Sequence, residues 1–377
     1  MGIEETWDQY SKKDIFLQSQ YLKVLENFPP DAMQFRYVCI MEKSQAIGIL
    51  YYQIINLNLS DSLQDTGARD SFISKISAKI KSGVASMFET HLLILGNTLV
   101  TGDYGYHFIK TLENNRANKI LDAVTDKVRE QLVSNGIKVG VNLKKDFFPA
   151  QIEGISDFNK YTKFEVQPNM WIHLKEEWLS FDDYLEAMKS KYRVRMRRAR
   201  KKSADIVKRE LSIEELKAYN SIMYDQYLET VKGAGFNLFY LHTDYNIALK
   251  ESFGEKFKII AYFMKENDKE NLIGYFTIFS NYDQMEAHFL GYKHSQNATN
   301  QTYLNFLFDM IEYGIEGKFK AINLSRTAME IKSSVGAVPY DLSVFLKYNT
   351  RLINKFVPRA LDYFITKVKW KPRNPFK

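Results

Sequence analysis

Glu286 and His288 stand two residues apart in MEAHFLGY, a spacing that puts both side chains on one face of a strand. A carboxylate and an imidazole so placed can take the proton of an attacking amine, directly or through water. The bland reading has Glu286 facing solvent and His288 hydrogen-bonded in a core. Farther on, LSRTAMEIKSSVGAVP carries Arg326 and Lys332. A lysine beside a Gly-containing turn can stabilise the oxyanion of a tetrahedral intermediate, and Arg326 would complete a basic sheet end. Asn323, at the end of the preceding strand, can orient a substrate or simply form a turn. In LGNTLVTGDYGYH, Asn97, Thr101, Asp103 and Tyr104 lie among three glycines, either a ligand-binding turn or a plain one. The six His show no HExxH spacing, and neither a Walker A loop nor GxGxxG occurs, so no metal and no nucleotide hydrolysis are expected.

A second kind of chemistry is electrostatic. KSKYRVRMRRARKK, residues 189–202, holds nine Lys and Arg and no acid; without them the formal net charge of +7 becomes −2. As a helix, this segment lines up Tyr192, Met196 and Ala199 as a narrow apolar stripe, with Lys189, Arg193, Arg197 and Arg200 beside it. Like charges four apart weaken an isolated helix, so a counter-anion is expected: an acidic protein surface, a phosphate or nucleic acid. KYRVRMR also alternates at period two, as a strand would. Ser180 with Asp183 forms a capping-box pattern, and no Gly or Pro interrupts 180–209, so the spacing predicts one basic helix over 180–209.

The elements that must hold these residues alternate between strand-like and helical runs, which indicates an α/β chain with mixed sheets. FRYVCIMEKSQAIGILYYQIINLNL reads as two strands joined by a turn at 42–45, and HLLILG, KVGVNL, LIGYFTIFSN, EAHFLGYKHS and KAINLS as further strands. NKILDAVTDKVREQLVSNG and QTYLNFLFDMIEYGIEGK read as helices ending at Gly136 and Gly317. Ile47-Gly48 answers Ile273-Gly274, Leu95-Gly96 answers Leu290-Gly291, and Val141-Asn142-Leu143 answers Ile322-Asn323-Leu324. Four features in one order predict a tandem duplication, with domains at 1–165 and 166–377. FISKISAKIKSGVASMF then becomes a helical insertion near 68–90, amphipathic as a domain helix or a membrane-surface helix would be. A single cysteine, Cys39, excludes an internal disulfide and suits a cytoplasmic protein. No apolar run is long enough to span a membrane.

Two motifs carry a resemblance. SFDDYLEAMKSKYRVRMRRARKK resembles a helix followed by Lys-x-x-Arg, an apolar pair and a basic Ala-containing turn, and MEIKSSVGAVP resembles a Phe-Lys-x-x-Phe-Gly element, with Ile331 in place of Phe. Both belong to the Fem-type tandem-GNAT acyltransferases, including Fem-like proteins labelled as peptidoglycan biosynthesis proteins, and the likeness covers roughly residues 15–350. The resemblance implies two tandem GNAT-like domains. It implies that Arg193 or Arg197 binds a phosphate of a cell-wall precursor and that Lys332 lies at the acyl-transfer centre. It also implies transfer of an aminoacyl group from charged tRNA, where ordinary GNAT enzymes use acyl-CoA. The chain lacks the helical-hairpin arm of the tRNA-dependent enzymes. The loop YKHSQNATNQT lacks the glycines that let backbone amides close on a CoA pyrophosphate. The donor, acyl-CoA or aminoacyl-tRNA, therefore stays open.

The resulting expectation is an N-acyltransferase acting on an amine of an anionic small-molecule or lipid-linked acceptor, with peripheral contact at the inner membrane. Two other classes remain. One is a nucleic-acid-binding protein using helix 189–202, against which the net-negative remainder argues, duplex DNA in particular. The other is a non-catalytic recognition module with a degenerate site.

Overall fold

The computed structural model describes residues 3–11, 14–31, 33–57, 90–152, 161–232, 238–266, 269–350 and 370–377. The expected insertion near 68–90 lies almost wholly outside them, apart from Thr90.

The chain divides into two compact units. The first contains α1 (Ile3–Ser11), α2 (Ser19–Asn27), β1 (Gln34–Glu42), β2 (Gln45–Leu57), β3 (Thr90–Leu95), β4 (Tyr106–Phe108), α3 (Asn114–Ser134), β5 (Val139–Phe147), α4 (Pro149–Ile152) and β6 (Thr162–Glu165). The β1–β2 turn passes through Lys43 and Ser44, both at positive φ, the twist a tight hairpin requires. Leu121, Val128 and Leu132 of α3 are buried at helical spacing against Leu93 and Leu95 of β3.

The second unit contains β7 (Asn169–His173), α5 (Phe181–Ala187), α6 (Ser190–Lys202), β8 (Ile206–Glu210), α7 (Ile213–Lys232), α8 (Tyr245–Phe253), β9 (Phe257–Glu266), β10 (Lys269–Asn281), β11 (Gln284–Tyr292), α9 (His294–Asn300), α10 (Thr302–Glu316), β12 (Ala321–Asn323), α11 (Met329–Ser333) and β13 (Val338–Tyr340). Its core is built on α10, whose Leu304, Phe306, Leu307, Phe308, Met310, Ile311 and Ile315 are all buried. A helix apolar on most of its circumference must be covered by other elements on most sides; Met170 and Ile172 of β7, Tyr184 of α5 and Met196 and Ala199 of α6 belong to that cluster.

The two sheets repeat one order. In the first it is β1-β2-β3-β5-β14-β6, where β14 is Ser343–Tyr348; in the second, β9-β10-β11-β12-β7-β13, with β8 added outside β9. In each, the first three strands are antiparallel and the third pairs parallel with the fourth, β3 with β5 and β11 with β12. The contiguous division at 165/166 departs from this arrangement. The stretch from Asp341 groups with the first unit because β14 fills the fifth place of the first sheet, between β5 and β6. The matching place in the second sheet is filled by β7.

A second correction concerns the helix over 180–209. It is α5, α6 and the edge strand β8, broken at Met188 and Lys189, whose ψ angles of 150° and 144° are extended. The cause lies far along the chain. The C-terminal tail bridges Met188 through Phe376, accepts a hydrogen bond from Lys189 N at Pro375 O (2.7 Å) and donates one from Lys377 N to Ala187 O (3.1 Å). These bonds replace those a continuous helix would make. The ring of Phe376 packs on Trp178 and Tyr184 and covers Gly336, where any Cβ would lie 2.5 Å from it. Phe376→Ala is expected to lower stability by about 3 kcal/mol, read by urea unfolding. An unchanged midpoint would show that the tail does not hold the break.

Candidate active site in the second unit

β11 and β12 pair through only three residues, Gln284↔Ala321, Met285↔Ile322 and Glu286↔Asn323. Beyond that point β12 stops while β11 runs on to Tyr292, so the parallel strands part just after Glu286 and Asn323. The β10–β11 register shifts between Phe276 and Ile278, and the Thr277 hydroxyl both accepts from Phe289 N and donates to Phe289 O, each at 2.9 Å. Past the bulge, Gly291 meets α7: an added Cβ would lie 2.6 Å from Tyr227 N, so only glycine permits this approach.

Glu286 is 3% exposed and Asn323 2%. The Asn323 side chain accepts from Ser325 N (2.9 Å), which folds the following loop back. That loop holds three non-glycine residues at positive φ, Ser325, Thr327 and Ala328, a concentration of strain typical of functional segments. Its carbonyls receive Lys332. Nζ donates to Ser325 O at 3.3 Å and Arg326 O at 2.5 Å, and the side chain, on α11, is buried. Burial pushes the Lys332 ammonium down to about 7 and the Arg326 guanidinium down to about 10. Glu286, Asn323, Arg326 and Lys332 are thus brought to one sheet end.

His288 takes a different part from the one expected. Its ring packs on Phe257, Phe279 and Phe289, and Nε2 lies 2.9 Å from the Tyr245 hydroxyl. Burial pushes its pKa down to about 3, so the imidazole is neutral at pH 7 and a weak base. His288→Gln is expected to slow transfer less than about tenfold and to leave the pH–rate profile unmoved. A loss of a hundredfold or more would restore His288 as the base.

The basic segment also differs from expectation. Tyr192, Met196 and Ala199 do face the core. Arg193, however, donates to Met188 O (2.6 Å) and Glu186 O (3.3 Å), capping the end of α5. Arg200 pairs with Asp309 (2.6 Å) and Glu312 (3.5 Å), where Lys208 also binds both carboxylates. This flank of α6 therefore finds its counter-anion inside the protein. Arg197 is exposed. The opposite flank, Lys191, Arg195 and Arg198, lines a groove of ≈ 610 Å³ with Tyr192, Val194, Glu330, Ile331 and Arg373. Glu330 is already paired with Arg373, and Arg195 donates to Ser334 Oγ (2.9 Å). Glu330 and Ile331 precede Lys332 on α11, so one short helix separates the groove from the buried amine. Sequence reasoning missed these residues, although their i, i+4, i+7 spacing marks one helix face.

The glycine-poor loop after β11 is the short helix α9. Asn297 Oδ1 accepts from Tyr303 N (3.0 Å), capping the first turn of α10, and Thr302 there is fully buried. In the first unit the residue across from Asn142, the counterpart of Asn323, is Leu93, so no carboxylate occupies the place of Glu286. The glycine-rich turn there is internally bonded: Asn97 accepts from Gln53 and Leu99 N, and Asp103 from Gln151. Among the described residues no group of His, Cys, Asp or Glu is arranged to hold a metal ion, and no helix is long and apolar enough to cross a membrane.

No family model and no curated protein matches the sequence. Among solved structures FemX matches with a TM-score of 0.54 at 10% identity, over 95% of this chain and 99% of that one. The fold is the tandem GNAT fold of FemX. A tandem GNAT protein from the clavulanic acid biosynthesis pathway matches at 0.49 and 10% identity, over 87% of this chain and 86% of that one. L-PGS from Bacillus licheniformis matches at 0.44 and 12%, over 91% and 96%. At such identities the likeness is one of fold, and the tandem GNAT fold accounts for the two sheets of one strand order.

Proposed function

We propose that the second unit is the centre of an N-acyltransferase that moves an aminoacyl group to an amine of a phosphate-bearing acceptor. The observation that carries this reading is the meeting of Glu286, Asn323 and the Lys332-holding loop where β11 and β12 part. The acceptor amine enters that opening and attacks the donor carbonyl. Glu286 takes its proton, directly or through one water, as the C–N bond forms. Lys332 supplies positive charge to the oxyanion, and as the intermediate collapses the C–O bond breaks and the donor alcohol leaves with the proton that Glu286 took from the amine. Asn323 and Arg326 hold the loop and keep the sheet end basic. The first unit, with Leu93 in place of Glu286, serves as scaffold.

The donor is better read as the aminoacyl ester of charged tRNA than as acyl-CoA. Asn297 already caps the first turn of α10, the place where backbone amides would otherwise meet a pyrophosphate. The acceptor phosphate sits in the groove of Lys191, Arg195 and Arg198, as two or three charge-assisted hydrogen bonds permit. Arg195→Ala with Arg198→Ala should raise KM for a phosphorylated acceptor about a hundredfold and leave kcat nearly unchanged, because a remote anchor binds ground and transition states alike. An unchanged KM would remove the groove from the acceptor site. Charged tRNA and acyl-CoA assayed side by side decide the donor; turnover with acyl-CoA alone would overturn the aminoacyl reading.

A further inference from the structure

Arg193 and Arg200 are turned inward, and what remains of α6 faces solvent: Lys191, Val194, Arg195, Arg197, Arg198, Lys201 and Lys202 are all exposed. At 100° per residue Val194 falls between Arg197, Lys201 and Arg198 in the middle of that face. A valine 39% exposed amid cations does nothing for the core. The groove shares this side of the helix, and its walls mix cations with Tyr192, Val194 and Ile331. Its one carboxylate, Glu330, is neutralised by Arg373.

We propose that the outward face of α6 docks the protein on an anionic phospholipid surface. A helix of thirteen residues, about 20 Å long, lying flat presents its cations to a plane of phosphates, and a central aliphatic side chain can enter the headgroup layer. The remainder of the chain is net −2 without residues 189–202, so such a surface attracts this face above others and fixes the orientation. RNA fits less well. The cations are confined to one short helix, and the apolar residue at the middle of its outward face is aliphatic, where stacking of a base would need a ring. The inference extends the anion-site reading but needs no turnover.

The test is co-sedimentation of the full chain, without donor, with vesicles of phosphatidylcholine alone or mixed with phosphatidylglycerol. Binding is expected only to the mixed vesicles, weakening as salt is raised. Arg197→Glu with Lys201→Glu, both outside the groove, should cut the partition coefficient more than about a hundredfold, since each cation near such a surface contributes about fivefold. Circular dichroism of the exposed double variant confirms that it folds. Equal binding to both vesicle types, an indifferent double variant, or binding to polyuridylate RNA in preference to the mixed vesicles would each overturn the proposal. Transfer to a soluble phosphorylated amine is read separately, so loss of docking and failure of the transferase reading are distinguishable.

Discussion

Lys332→Met is expected to reduce transfer at least a thousandfold while leaving the protein folded. The rate follows from removing the positive charge that the proposed mechanism gives to the oxyanion; single donors at such positions carry about a hundred- to a thousandfold, and here the charge is lost as well. The stability follows from two opposing effects. Burial lowers the folded-state pKa to about 7 from 10.5, so up to about 5 kcal/mol opposes folding while the ammonium is charged. Against this, methionine removes the hydrogen bonds of the ammonium to Arg326 O and to Ser325 O, which still accepts from Met170 N (3.1 Å); bonds to a charged group contribute about 1.5–3 kcal/mol each. The two nearly cancel.

The same group fixes a pH dependence of known sign. Below pH 7 the folded and unfolded states both hold the Lys332 proton, and the burial penalty is present in full. Between about pH 7 and 10.5 the unfolded state binds more protons, so stability rises with pH across that window. Urea unfolding should show the parent gaining stability from pH 7 to 9.5 relative to Lys332→Met. Transfer runs the other way. With the charge lost above about 7, kcat/KM should acquire a descending limb there. Lys332→Arg, charged throughout, should lose that limb even if it turns over slowly. A limb unmoved in Lys332→Arg would assign it to another group.

The second large effect is at Glu286. Glu286→Gln keeps the shape and removes the base, and a loss of about 10²–10⁴ in kcat is expected, with KM little changed. The residue is 3% exposed on a central strand, so melting temperatures must be compared first. A rate within tenfold of the parent would mean that the acceptor amine loses its proton elsewhere. His288, hydrogen-bonded to Tyr245 and with its pKa pushed down to about 3 by burial, is proposed to take no part in that step.

The strands that carry the site were legible because their signals are local. Apolar runs rich in β-branched and aromatic residues, with flanking turns, mark β1, β2, β10 and β11, and continuous apolar character with a terminal glycine marks α10. The correspondence of Asn142 with Asn323 pointed to the repeated sheet order. Less legible was whatever depends on distant pairing. Nothing in FDDYLEAMKSKYR announces a break at Met188, because the bonds that hold it come from Pro375 and Phe376. The exchange that puts β14 in the first sheet and β7 in the second is non-local as well. On α6 the apolar stripe was readable, but two cationic flanks border it. Which flank meets Asp309 and Glu312 and which meets the groove is decided by α10 and α11, outside the segment.

The most direct test of the central claim is a single-turnover assay: labelled aminoacyl-tRNA, a phosphorylated amine acceptor and purified protein, with product followed by mass. The parent should form an amide on the acceptor amine, Glu286→Gln and Lys332→Met should form almost none, and His288→Gln should remain near the parent. Amide formation at the parent rate in both Glu286→Gln and Lys332→Met would contradict a transfer centre at the parting of β11 and β12.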